Sequence, residues 1–188
     1  PGVNVRAATP EPVAAVARVC ARHDAIVEIN AHCRQPEMCA AGCGETLLRE
    51  PDRLRAYVAT ASDAGAAVSV KVRAEVSGVD LADIARTIAA ADADAIHVDA
   101  MDSESVVRAV ADAAPSLFVI ANNEVRGPES VDEYLGYGAD AVSIGRPSTD
   151  AAVRRRVRRA VDAWMDTHTP ATTRDRERPA TPADDGQR

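Results

Sequence analysis

Cys33, Cys39 and Cys43, three of the chain's four cysteines, share one polar stretch with Asn30, His32, Arg34 and Gln35. A thiol reacts through its thiolate, which basic neighbours such as His32 and Arg34 favour, so Cys33 is a candidate for chemistry. The competing reading is a buried structural cysteine. A metal site on these cysteines and His32 would have five and three residues between successive cysteines. That lacks the C-x-x-C pairs of common zinc sites, so no metal is assigned, and Cys39 and Cys43 read as packing residues. Lys71 is the single lysine among 22 Lys and Arg. At the end of an apolar run it could snorkel to a rim, form a Schiff base, or stand as a fixed cation beside an anionic cofactor. Gly145-Arg146 precedes a helical pattern, and a glycine turn, a helix amino end and a guanidinium together suit a phosphate.

These residues need a frame. The chain has 188 residues, about one domain, and 46% apolar residues supply a core that 3% aromatics make largely aliphatic. A net charge of −7 argues against a broad nucleic-acid footprint, though not against a local basic patch. No apolar run approaches the length of a membrane span. Four cysteines without a signal sequence do not form a disulfide framework, and the cytoplasm is the default compartment.

Hydrophobic patterning gives six strands: Val3 to Ala7, Ala25 to Asn30, Ala67 to Arg73, Ala95 to Asp99, Leu117 to Ala121 and Ala141 to Ile144. Between them lie helical patterns opened by Pro10, Pro51, Asp80, Ser103 and Pro128, and one more runs from about Thr149 to Met165. Strict alternation predicts an α/β fold with a parallel sheet. Asn30, Lys71, Asp99, Asn122 and Arg146 fall at carboxyl ends of strands, the active face of a (β/α)8 TIM barrel. Six β/α units are visible, and the chain opens on Pro1 and enters a strand at once, so two units are expected to precede it. The predicted barrel domain covers residues 1–166, and 167–188 read as a disordered Pro-, Thr-, Asp- and Arg-rich tail. The arginines between Arg154 and Arg159 read first as a solvated helix face and alternatively as a phosphate-contacting patch.

Four segments in order resemble the tRNA-dihydrouridine synthases. Asn30-Ala31-His32-Cys33, with Gly42-Cys43-Gly44 downstream, is similar to that family's Asn-x-Gly-Cys-Pro loop, and Lys71-Val72-Arg73 to its Lys-x-Arg strand end. Asn122-Asn123-Glu124-Val125 resembles its Asn-Gly-Asp-Ile, and Gly138 to Arg146 its Gly-Ala-Asp-x-Val-x-Ile-Gly-Arg. The resemblance implies an FMN-dependent oxidoreductase that uses NAD(P)H to reduce the C5–C6 double bond of uridine in tRNA. By the same resemblance Cys33 would be the acid and Lys71 would contact the flavin ring. Asn4, Asn30, Asp99, Asn122, Asn123, Gly145 and Arg146 would complete the cofactor site. Asn30, His32, Arg34 and Arg73 would meet the substrate.

The chain departs from the pattern at five positions. His32 replaces the glycine before the cysteine, and Arg34 the proline after it. Asp99 stands for a histidine, Met101 for an arginine and Asn123 for a glycine. Three rivals stay open: a flavin barrel acting on a free pyrimidine such as dihydroorotate, a non-flavin phosphate-binding barrel using Lys71, and a non-enzymatic remnant or metal-binding module.

Overall fold

A computed structural model of the protein describes residues 1–168. Among them, six strands form one parallel sheet: β1 (Gly2–Val5), β2 (Ile26–Asn30), β3 (Ala67–Arg73), β4 (Ala95–Asp99), β5 (Phe118–Asn122) and β6 (Ala141–Ser143). Their order across the sheet is their order in the chain, β1 to β6. Each crossover therefore steps one strand in the same direction, and right-handed connections then place every helix on one side. A doubly wound sheet would reverse direction midway. The architecture is six consecutive β/α units of a TIM barrel, with β1 and β6 as the two edges.

The helices are α1 (Pro10–Arg22), α2 (Pro36–Ala40), α3 (Pro51–Asp63), α4 (Leu81–Ala89), α5 (Val106–Ala113), α6 (Pro128–Gly136) and α7 (Ala151–His168). Proline opens α1, α2, α3 and α6, where its missing N–H costs nothing. Asp80 caps α4 by accepting the Ala82 N–H at 2.8 Å. Ser103 does not cap α5 as its sequence position suggests: Ser105 is the N-cap residue, and the Ser103 hydroxyl donates to Glu75 Oε1 at 3.0 Å. The short α2 and the 3-10 turn at Gly44–Arg49 fold the cysteine stretch. The expected tail begins inside α7, which continues through Thr167 and His168; its remainder, 169–188, lies outside the described residues.

Each strand sorts its side chains by parity. Val27, Ile29, Val68, Val70, Val72, Ile96, Val98, Val119 and Ala121 face the helices and are fully buried there with Leu54, Tyr57, Ile88 and Val131. The opposite, inner face carries Asn4, Glu28, Asn30, Ser69, Lys71, Arg73, His97, Asp99 and Asn122, with Ile26, Phe118 and Ile120 at its lower edge. The register lines them up in rows across the strands, Asn4–Glu28–Ser69 below, Asn30–Lys71–His97 above, and Arg73–Asp99–Asn122 at the rim. So β3, which reads in sequence as nearly continuous apolar, alternates strictly.

Two aspartates lock the sheet from loops. Asp94 accepts the Val68 N–H at 2.7 Å, and Asp140 accepts the Val119 N–H at 2.8 Å. Each ties the turn before one strand to the start of its neighbour. No helix is long and apolar enough to cross a membrane among the described residues.

Candidate active site

The inner face carries a continuous polar chain. Asn4 Nδ2 donates to Glu28 Oε1 at 2.7 Å, and Glu28 Oε2 lies 2.8 Å from His97 Nδ1. His97 Nε2 faces Asn122 Nδ2 at 3.3 Å, so Nδ1 carries the ring proton and Nε2 accepts. That in turn fixes the Asn122 amide, whose Oδ1 accepts the Asn123 N–H at 2.7 Å. Burial alone would raise the Glu28 carboxyl, but hydrogen bonds from His97 and Asn4 and the charge of Lys71 outweigh it and hold Glu28 below its ordinary range. Among the described residues no buried side-chain polar atom lacks a partner, as a network in low dielectric requires.

Above this chain the strand ends surround a cavity of about 720 Å³, within the usual range for small-molecule sites. Its wall includes Lys71, Asp99, Asn122, Asn123, Gly145 and Arg146. Lys71 and Arg146 make no ion pair within hydrogen-bonding reach among the described residues. They therefore present two positive charges to the cavity. A second cavity of about 220 Å³ adjoins it and is lined by Arg34, Arg73, Met101 and Asn123. His32, Asp99, Asn123 and Arg146 line both.

The helix amino end expected to hold phosphate is already used. Asp150 caps α7 by accepting the Ala152 N–H at 2.7 Å, so an anion here would rest on Gly145 and Arg146 rather than on α7. The Asn122–Asn123 loop lies beside Gly145 on the same wall.

Other expected site residues are turned inward. Asn30 is 5% exposed. Its Nδ2 donates to Asn4 at 2.9 Å, and its Oδ1 accepts the N–H groups of His32 and Cys33 at 3.2 and 2.9 Å. Asn30 thus shapes the loop, and Asn4 holds Asn30 in place. Arg73 is clamped at 2.8 Å to Glu45, whose N–H in turn donates to the Cys33 carbonyl at 2.9 Å. Gly44 closes that turn at φ 65°, and a Cβ there would lie 2.1 Å from the Cys33 carbonyl oxygen, so only glycine fits.

Cys33 is buried, with Sγ 3.5 Å from Gln35 Oε1, and lines neither cavity. His32 does the reverse: its ring faces both cavities, and its Nε2 lies 2.6 Å from Asp99 Oδ2. Burial pushes the Asp99 carboxyl up, but the His32 hydrogen bond and the charges of His32 and Lys71 prevail and keep it below its ordinary range. Among the described residues no group of three or more His, Cys, Asp or Glu is placed to hold a metal ion.

The profile of the dihydrouridine synthase family matches residues 3–162 of this chain. The chain belongs to the dihydrouridine synthase family. An uncharacterized protein of Methanocaldococcus jannaschii is 27% identical over 137 residues, 67% of this chain and 51% of that protein. The chain spans about half the length of this curated relative.

Membership in the dihydrouridine synthase family agrees with the barrel units and gives the Gly138–Arg146 motif a structural reading. Its Asp140 is the aspartate that ties β6's approach to Val119. His32 and Asp99, two positions at which the chain departs from the motifs it resembles, are bonded to each other. Nothing in the sequence alone joins them; only the strand register and the Asn30-shaped loop bring them together. Glu28 and His97 went unassigned in the sequence because both lie inside runs that read as ordinary strand.

Proposed function

We propose that this chain forms the catalytic face of an FMN-dependent reductase. It would saturate the C5–C6 double bond of uridine in tRNA, with NAD(P)H as electron source. The observation that carries this reading is the pair Lys71 and Arg146. They line one cavity with Asn122, Asn123 and Gly145, and neither makes an ion pair within hydrogen-bonding reach among the described residues, although Asp99, Glu124 and Asp150 share the wall. That donor set suits a planar cofactor bearing an anionic ring and a phosphate, and family membership supports the same group.

Bound FMN would supply a hydride equivalent. In this reading Lys71 lies against the flavin ring, where a fixed positive charge favours the reduced, anionic form. Gly145 and Arg146 hold the phosphate, with Arg146 as a bidentate donor. Asn122, its amide fixed from below by His97 and from above by the Asn123 N–H, offers the cofactor a preset polar edge. The His97–Glu28–Asn4 chain underneath keeps that edge from rotating. The rim cavity, with Arg34 and Arg146 on its wall, would admit the base and its phosphates.

The test is a visible absorption spectrum of the purified protein before and after adding FMN, followed by incubation with NADPH and tRNA. Flavin bands, their bleaching by NADPH and their return on adding tRNA, with dihydrouridine recovered from digested RNA, are the expected results. A protein that takes up no FMN would remove this reading. Reoxidation by a free pyrimidine but not by tRNA would move the substrate to the smaller class.

A further inference from the structure

Consecutive residues His32 and Cys33 face different surroundings, and the difference bears on which of them can donate a proton. The Cys33 thiol is held inside the loop. Its carbonyl accepts the Glu45 N–H and the Cys39 thiol, its own N–H is bound by Asn30, and its Sγ faces Gln35. Bringing the thiol to the cavity would take its Sγ away from Gln35, in a turn whose backbone those bonds fix and Gly44 closes without room for a Cβ. The His32 ring already lines the cavity that holds Lys71, and its side chain is 32% exposed. Nε2 is committed to Asp99, and Nδ1 has no partner among the described residues. A carboxylate on one ring nitrogen fixes the ring's orientation and supports the imidazolium, leaving the other nitrogen to exchange protons with a substrate.

We propose that His32, positioned by Asp99, is the general acid of this site, in place of the neighbouring thiol. This inference rests on the flavin-reductase reading above. Saturating the C5–C6 bond of a uracil ring adds a hydride at one carbon and a proton at the other. With the hydride supplied by reduced flavin, the electron pair of the double bond ends on the carbon next to the carbonyl. That carbon takes the proton from His32 Nδ1: the N–H bond breaks, the C–H bond forms, and the imidazolium becomes neutral imidazole. Nε2–H remains on Asp99 throughout, and water restores the Nδ1 proton.

Three measurements on the full-length protein test this. In the flavin-free wild type, proton NMR should show a downfield, slowly exchanging His32 Nε2–H resonance that Asp99→Asn abolishes. In the FMN-loaded protein pre-reduced with NADPH, His32→Gln should slow reoxidation by tRNA about 100-fold or more. Free imidazole should partly restore it in His32→Ala. Cys33→Ala should slow the same step by no more than about 10-fold. The rate of flavin reduction by NADPH, which needs no proton from His32, reports that each variant is folded and loaded. An absent Nε2–H resonance in the wild type would overturn the pair. So would a Cys33→Ala protein that reduces flavin normally but no longer passes electrons to tRNA, while His32→Gln still does. Either result leaves the flavin-reductase reading standing, whereas failure to take up FMN removes both.

Discussion

Asn123 adopts a φ of 111°, a conformation that an L side chain holds at a cost and glycine holds freely. The resemblance places a glycine at this position, so the chain carries strain at the cavity wall. Its compensation is a side-chain bond from Asn123 to the Met101 carbonyl. Asn123→Ala keeps the strain and loses the bond, and Asn123→Gly loses both. The glycine variant is therefore expected to be the more stable of the two by about 1 kcal/mol, read as a denaturant midpoint. Lys71 tests the cofactor reading at the same scale. Removing one charged hydrogen bond costs about 1.5–3 kcal/mol, so Lys71→Ala should weaken FMN binding by roughly 10-fold or more in a fluorescence titration. An unchanged affinity would put the cofactor elsewhere. At this scale the sequence was legible where a residue type is scarce, as with Lys71. It was not legible where function depends on partnership. His32 could be placed near a substrate from its position, but its bond to Asp99 comes from 67 residues away. Cys33 drew attention by type, whereas its surroundings decide what its thiol can reach.

At the scale of elements, the strands were readable because outward positions are almost uniformly Val, Ile or Ala, and proline marks where helices begin. The small pieces were not. Pro36–Ala40 is a five-residue helix with no buried side chain, so it leaves no apolar period to detect. The inner face was missed for a related reason. In β2 and β4, Glu28 and His97 interrupt apolar runs, and only their register across β3 turns two interruptions into one hydrogen-bonded pair. That pair has a pH signature. A carboxylate held below its ordinary value on folding contributes stability that is fully present above its unfolded pKa, near 4.5 for Glu28, and is lost as pH falls through the lower folded value. Glu28→Gln removes the titration, so its unfolding free energy should fall less steeply below pH 4.5 than the wild type's. Urea melts across that range measure it, and parallel curves would mean Glu28 carries no such linkage. On the outer face, Ile96 is fully buried between sheet and helices, and Ile96→Ala should cost about 2–5 kcal/mol while leaving the inner network in place.

For the molecule as a whole, the two faces of the sheet meet different needs. The outer face is closed by helices, while the lower inner face leaves Ile26 and Phe118 nearly half exposed around an apolar cavity of about 370 Å³. In the proposed reading the polyanionic substrate would reach the strand ends despite a net charge of −7. Arg34 and Arg146 line the rim cavity, and neither is committed to a protein carboxylate in hydrogen-bond range among the described residues. The arginines of α7 are otherwise engaged or solvated: Arg154 donates to the Ser148 carbonyl, Arg156 to the Arg126 carbonyl at 2.7 Å, and Arg158 lies 3.4 Å from Asp162. If the proposed tRNA substrate enters by the rim, removing one phosphate-binding side chain there should lower the slope of log affinity against log salt by about one. Arg34→Ala is expected to do so, and Arg155→Ala with Arg159→Ala, an exposed pair one turn apart on α7, is expected to leave the slope as it was. Filter retention of tRNA across a salt series gives all three slopes. The opposite ranking would move the RNA path from the barrel rim to α7, with Arg34 then serving only the loop that carries His32.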